Sequence, residues 1–271
     1  MENKMKRKGK ELGDLSSRLF AYVQLKKRDI IRIGELLPVL GITESQERDL
    51  FRRLSDSGWL VRLKRGVYLV PPRIPAGGKY SPGVGLILQK LMEEQSGKYQ
   101  ICGPTAFNFY GFDDQITNIT YVYNSSISGS RTIGSLAFQF IKIVSKRLGG
   151  TAAFKTQQGF PIIYSSKVRT LMDAVYDWNR FNSLPRGYDW IRKEIKFEPS
   201  LPSVLVDTII QYGNQATAKR IGYLLDIMDQ PQDIMKRLLD QLSDSKALIP
   251  WIPSRAARGT VNRKWGIIVN D

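Results

Sequence analysis

Residues 43–70 read TESQERDLFRRLSDSGWLVRLKRGVYLV, one helix running straight into a β-hairpin. Thr43 is placed to N-cap, and Gln46 three residues on completes a capping-box pattern, so the orphan amides of the first turn find partners. Leu50, Phe51 and Leu54 recur at helical spacing and form one apolar stripe, which turns Ser45, Arg48, Asp49 and Arg52 to the opposite face. Gly58 stops the helix. Trp59 to Leu63 and Gly66 to Val70 then read as two strands with Lys64 and Arg65 at the tip between them. Glu47 falls beside the apolar stripe, where the sequence offers its carboxylate no evident partner.

A helix followed by a hairpin with a cationic tip is the arrangement of a winged helix-turn-helix. An α-helix fits the DNA major groove, where a guanidinium can bond guanine O6 and N7 together. Cations on the wing lie against phosphates and release counterions. The candidate DNA-contacting residues are Ser45, Gln46, Arg48, Arg52 and Arg53 on the helix and Arg62, Lys64 and Arg65 on the hairpin. Arg48 and Arg52 are expected to read bases, and Lys64 and Arg65 to hold phosphate. The competing reading is a solvated outer face, because Glu44 with Arg48 and Asp49 with Arg53 are i,i+4 pairs.

The composition agrees with a polyanionic partner. The 271 residues carry 41 Lys and Arg against 25 Asp and Glu, a net charge of +16, which points first to nucleic acid and second to an anionic membrane surface. Residues 1–80 hold 18 of those cations and only 9 of the carboxylates, so the DNA-binding expectation belongs there. One cysteine, Cys102, and no histidine leave no intramolecular disulfide, no Cys- or His-built zinc site and no His-assisted nucleophile. Cys102 reads as a small buried hydrophobe. The basic N-terminus MENKMKRKGKELG is followed by no uninterrupted apolar run, and no stretch reaches transmembrane length. A soluble, cytoplasmic protein without membrane attachment is expected.

Taken in order, Met1 to Lys10 reads as a mobile basic arm. Leu15, Leu19, Tyr22 and Val23 mark a first helix, Arg28 to Arg32 a connector, and Ile33, Leu36, Leu37 and Leu40 a second helix that Pro38 keeps short. Residues 71–82, PPRIPAGGKYSP, read as a linker. After an amphipathic helix over Gly83 to Glu94 come strands at Tyr99 to Cys102, Ile116 to Tyr123, Leu136 to Val144 and Phe160 to Tyr164. A short helix at Thr105 to Tyr110 interrupts them, and a Ser, Gly and Arg131 loop separates the second and third strands. From Ser166 the pattern is helical until an irregular ending and a last strand at Trp265 to Val269. The fold class is α+β: an N-terminal winged helix-turn-helix, then a larger α+β domain with a small, mostly antiparallel sheet and a C-terminal helical cluster. The expected domains are residues 1–80, with the linker, and 81–271.

Between Asp114 and Asp173 the chain has no acidic residue, while Arg131, Lys142, Lys146, Arg147, Lys155, Lys167 and Arg169 all occur. Metal-dependent nucleases and nucleotidyltransferases require clustered carboxylates, which this region lacks, and no phosphate-binding GxxxxGK[ST] loop is present. No enzyme activity, cofactor or metal is expected. The cations of this stretch read either as a second surface for an anion or RNA, or as ordinary exposed strand residues.

Four motifs, in order, carry a family resemblance. RLKRGVYLVP (Arg62 to Pro71) resembles the wing of AbiEi-type antitoxins of type IV toxin–antitoxin systems, the phage-defence modules that act by abortive infection. GPTAFNFYGF (Gly103 to Phe112), KRIGYLLD (Lys219 to Asp226) and RKWG (Arg263 to Gly266) resemble that family's later signature, late helix and closing strand. The resemblance implies a winged helix that represses its own operon by binding inverted repeats in double-stranded DNA. It also implies a C-terminal domain that counters a separate nucleotidyltransferase-like toxin without a stable complex. Within that second domain the candidates are Lys219, Arg220, Arg131 and Lys142, and charge removal at Lys219 and Arg220 is expected to put packing at less risk than changing Leu224, because they precede their helix's apolar stripe. The alternative readings are a nucleic-acid-binding or processing factor that uses a basic sheet surface, and a plain winged-helix transcription regulator.

Overall fold

A computed structural model describes residues 13–75, 78–156, 159–242 and 247–270. The basic arm expected at Met1 to Lys10 lies outside the described residues. Contacts divide the chain into two compact units, Met1–Gln95 with Arg131–Ala137, and Ser96–Ser130 with Phe138–Asp271. The first unit runs beyond residue 80 and takes in one further helix, because that helix ends in ion pairs to the sheet of the winged helix.

The first unit contains α1 (Asp14–Leu25), β1 (Ile30–Arg32), α2 (Leu37–Leu40), α3 (Glu44–Asp56), β2 (Val61–Lys64), β3 (Val67–Leu69) and α4 (Val84–Glu93). Its core joins Leu19, Phe20 and Val23 of α1 to Leu50, Phe51 and Leu54 of α3 and to Ile31 and Tyr68 of the sheet. Phe51 stacks on Tyr68 with ring centroids 4.7 Å apart, which clamps the helix stripe to the middle strand. The capping box forms as the sequence requires: Thr43 Oγ1 accepts from the Gln46 amide, and Gln46 Oε1 accepts from the Thr43 amide. Glu47 is fully buried, and its carboxylate accepts the backbone N–H groups of Gly34 at 2.7 Å and Leu36 at 3.0 Å. That contact ties α3 to the turn that enters α2 and supplies the partner the sequence did not reveal.

Two local expectations change. Arg28 to Arg32 is not merely a connector, since Ile30–Arg32 forms an antiparallel strand with Leu69, Tyr68 and Val67. Ile33 lies outside the second helix and is 43% exposed. So short a strand carries almost no local signal, because its identity comes from a partner strand beyond the next two helices.

The second unit comprises β4 (Tyr99–Ile101), α5 (Gly103–Phe109), β5 (Ile119–Asn124), β8 (Thr151–Lys155) and β9 (Pro161–Ser165), with those parts of β6 (Gly129–Ile133) and β7 (Leu136–Lys142) that lie outside Arg131–Ala137. Then follow α6 (Lys167–Tyr176), α7 (Trp178–Phe181), α8 (Arg186–Phe197), α9 (Leu201–Tyr212), α10 (Gln215–Asp226) and α11 (Gln232–Leu239), and the short strands β10 (Ile249–Pro250), β11 (Thr260–Asn262) and β12 (Ile267–Val269). The large sheet has the order β6-β7-β5-β4-β9-β8. β4 pairs antiparallel with β5 and parallel with β9, and β8 pairs antiparallel with β9. The stretch expected as a Ser, Gly and Arg131 loop is therefore in part the edge strand β6, and the ending expected to be irregular supplies β10 and β11. Polar and glycine-rich edge strands lack the apolar alternation by which strands are recognised.

Helices α6, α8, α9, α10 and α11 close around Leu171, Ile191, Leu205, Ile221, Leu224 and Leu238. Cys102 is fully buried. The fold is thus α+β, a winged helix followed by a mostly antiparallel sheet and a helical cluster. Among the described residues no helix is long and apolar enough to cross a membrane.

Candidate nucleic-acid interface

The α3 stripe that packs inward leaves Ser45, Gln46, Arg48, Arg52 and Arg53 exposed on the outer face. Gln46 is occupied by the capping box. Arg48 pairs with Glu44 at 2.7 Å and Arg52 with Asp49 at 2.8 Å, while the two arginine side chains stay 65% and 73% exposed. Ion pairs that open to water are worth roughly 0–1 kcal/mol, so a phosphate or base edge can displace either carboxylate. Arg53 makes no ion pair among the described residues.

The hairpin is tight: only Arg65 and Gly66 separate β2 from β3, and Gly66 takes φ +75°, which a side chain would strain. The strand register decides where its cations point. Val61 pairs with Leu69, Arg62 with Tyr68, and Lys64 with Val67, so Leu63 is the extra residue of a bulge. Across the sheet Ile31 pairs with Tyr68 and Arg32 with Val67. Side chains alternate between faces, so Arg62 shares a face with Tyr68 and Ile31, the face on which α3 packs. Lys64 shares the opposite face with Val67 and Arg32. Arg65, at the turn, is exposed, as is Arg62, and neither makes an ion pair among the described residues.

Lys64 is engaged already, its Nζ donating to the carboxylate and to the backbone oxygen of Glu94, each at 3.0 Å. The wing cations thus separate into Arg62 and Arg65, open to solvent on the recognition-helix side and at the tip, and Lys64, held at the end of α4. From the sequence Glu94 is legible only as a helix end, because no local pattern connects the end of one helix with a lysine on a separate hairpin.

The candidates beyond residue 80 have other surroundings. Lys219 and Arg220 are buried, with 6% and 7% exposure, so removing either charge also bears on packing. Lys219 Nζ donates to the Ala247 carbonyl at 2.7 Å and Arg220 Nε to the Pro250 carbonyl at 3.3 Å, so both hold the chain that leads into and through β10. Burial lowers the affinity of the Arg220 guanidinium for its proton, and the nearby Tyr188 opposes that effect. The KRIGYLLD and RKWG motifs meet here: a Cβ on Gly222 would fall 2.1 Å from the Trp265 ring, and Trp265 Nε1 donates to Asp226 at 3.0 Å. Their shared residue types serve close packing of α10 against the closing strands.

Lys142 is exposed at the end of β7, and Arg131 is half-buried. Of the other cations in the acid-free stretch, Arg169 is fully buried, donating from Nε to Asp173 at 2.9 Å and from Nη2 to the Arg147 carbonyl at 3.0 Å. Arg147 reaches the other Asp173 oxygen at 3.1 Å and lies 3.4 Å from the Tyr176 ring centroid. Burial raises the Asp173 carboxyl above its ordinary range against the pull of Arg169 and Arg147. Lys167 pairs with Glu194. These cations are used internally, and Lys142, Lys146 and Lys155 remain exposed.

Helix, tight turn, second helix and a hairpin with a cationic tip are the arrangement of a winged helix-turn-helix. Residues 18–71, from α1 to the end of the wing, match the family described as transcriptional regulator, AbiEi antitoxin. The resemblance to AbiEi-type antitoxins is borne out over those residues, and the match supports a DNA-binding, antitoxin-type regulator as the function class. The comparison with curated proteins returned no match. Among solved structures, the crystal structure of the RV2827C protein from Mycobacterium tuberculosis is similar, with a TM-score of 0.56 and 13% identity, covering 95% of this chain and 92% of that chain. That likeness concerns the fold alone.

Proposed function

We propose that this chain is the antitoxin of a type IV toxin–antitoxin system, acting in the cytoplasm. In this reading residues 1–80 repress the chain's own operon by binding inverted repeats, and residues 81–271 counter a nucleotidyltransferase-like toxin without a stable complex. The observation that carries the DNA-binding part is the set of exposed guanidinium groups on α3 and the wing, Arg48, Arg52, Arg53, Arg62 and Arg65, on a helix and hairpin that match the AbiEi regulator family. Arg48 and Arg52 are assigned to base edges, with Ser45 beside them. Arg53, Arg62 and Arg65 are assigned to phosphate. Two winged helices on one duplex would read half-sites related by two-fold symmetry.

For the protective role, Lys142 and Arg131 are the cations to test, because Lys219 and Arg220 act in packing. An enzymatic or RNA-processing reading has less support, since the basic stretch from 115 to 172 has no carboxylate for a metal and spends Arg147 and Arg169 internally.

The test has two readouts. Anisotropy titrations should show the protein binding a duplex from upstream of its own gene more tightly than a scrambled duplex of the same composition. Co-expression with the adjacent nucleotidyltransferase-like gene should restore growth, and the Arg52→Ala/Arg65→Ala double variant should lose operator binding yet still protect. Equal affinity for both duplexes overturns sequence-specific repression; loss of protection in that soluble double variant overturns the division of labour.

A further inference from the structure

Register places Arg32 and Lys64 on either side of Val67, in one row and on one face of the winged-helix sheet. Glu94, the residue that caps the C-terminal end of α4, sits against that row. One oxygen of its carboxylate accepts from Arg32 Nη2, and the other accepts from Lys64 Nζ at 3.0 Å. Its backbone oxygen takes a second bond from the same lysine. The side chain of Glu94 is 11% exposed, whereas the carboxylates that face Arg48 and Arg52 are 70% and 64% exposed. The α3 pairs are therefore solvent-screened and easily opened; the Lys64–Glu94 pair is the more sheltered, with 27% and 11% exposure, whereas Arg32 is itself 45% exposed.

The neighbouring charges reinforce this. Glu35 bridges Arg28 and Arg32, and Lys90 of α4 reaches Asp29 and Glu93, so cations and carboxylates alternate across this side of the sheet. Burial opposes ionisation of Glu94, but the hydrogen bonds from Lys64 and Arg32 outweigh it and hold the carboxyl below its usual range. A carboxylate and a phosphodiester oxygen accept from ammonium and guanidinium donors in the same way.

We propose that Glu94 is a built-in competitor for DNA phosphate, which occupies Lys64 and Arg32 and so limits the non-specific, salt-dependent part of duplex binding. This rests on the winged helix being the DNA-binding surface. In the native protein Arg62 and Arg65 are then the wing's phosphate contacts, and Lys64 contributes none although it stands beside the tip. A weaker electrostatic term leaves a larger share of the affinity to base contacts, because phosphate contacts carry no sequence information.

The experiment measures the affinity of the full chain for a random-sequence duplex across a salt series. Glu94→Gln should bind more tightly and steepen the slope of log affinity against log salt by about one unit, for the Lys64 charge it frees, because Arg32 stays paired with Glu35. Lys64→Gln alone should leave the slope unchanged, and added to Glu94→Gln should remove about one unit of the gain. Arg65→Ala should flatten the slope by about one unit in either background. If Glu94→Gln matches the native slope, or Lys64→Gln alone loses as much as Arg65→Ala, the competitor role is overturned while DNA binding stands. If the native protein shows no salt-dependent duplex binding, the DNA-binding reading itself fails. Should Glu94→Gln not fold, the Lys64→Gln and Arg65→Ala slopes in the native background decide the question.

Discussion

The carboxylate of Glu47 accepts the backbone N–H of Leu36 at 3.0 Å, so α3 holds the start of α2 through a buried side chain. The other oxygen takes the Gly34 amide. An acidic residue in the first turn of a helix with an exposed cationic face would otherwise repel DNA; here it is turned inward and carries the angle between α2 and α3. Glu47→Ala strands the buried Leu36 amide, while the exposed Gly34 amide can turn to water, and should cost about 1–3 kcal/mol. Urea unfolding followed by tryptophan fluorescence measures this, and a loss below about 0.5 kcal/mol on the same scale contradicts the structural role.

The two cationic sets of the interface should separate in binding assays. Arg52→Ala is expected to weaken the preferred duplex by about 1–3 kcal/mol and to spare random DNA, since a bidentate base contact is worth that much discrimination. Arg65→Ala should instead weaken every sequence alike. Competition titrations with operator and scrambled duplexes distinguish the two, and equal losses on both duplexes for both variants would show the roles to be misassigned.

Lys219→Met should lower the stability of the second unit by about 1–3 kcal/mol, because it removes a charged donor from the Ala247 carbonyl. Any loss of protection in that variant, or in an Arg220 variant, should disappear when the assay temperature is lowered enough to restore soluble protein. Persistent loss of protection by a folded, soluble variant would give these residues a role beyond packing.

Gly222→Ala should destabilise α10 against the closing strands. The added Cβ would meet the Trp265 ring at 2.1 Å, and overpacking of this kind typically costs about 1–3 kcal/mol. Thermal melting reports the loss, and near-ultraviolet circular dichroism should show Trp265 in an altered setting. A melt and spectrum identical to the native protein would mean that the ring has room to shift.

Much of the winged helix is legible in the sequence, and the reason is local. A capping box, an apolar stripe and a tight turn are each encoded within a few positions, and the physical interactions that enforce them span no more than one helical turn or one hairpin. The same holds for α9, Leu201–Tyr212, which falls in the stretch that reads as helical from Ser166. The exposed cations of α3 follow from that stripe, because fixing the buried face of a helix fixes the other.

What tertiary structure decided is the environment of individual charges. Whether Lys64 faces DNA or Glu94 depends on a bulge at Leu63 and on where the end of α4 comes to rest. Whether Glu47 repels or supports depends on the turn at Gly34 that precedes α2. Lys219 and Arg220 looked like the polar lead-in of a helix until the strands after residue 247 closed over them, and Arg169 looked like one more strand-region cation before Asp173 and the Arg147 carbonyl enclosed it. Sequence spacing specifies which face of an element a residue occupies; only the packing of distant segments determines whether that face meets water, a carboxylate or a carbonyl, and a charge takes its function from that partner.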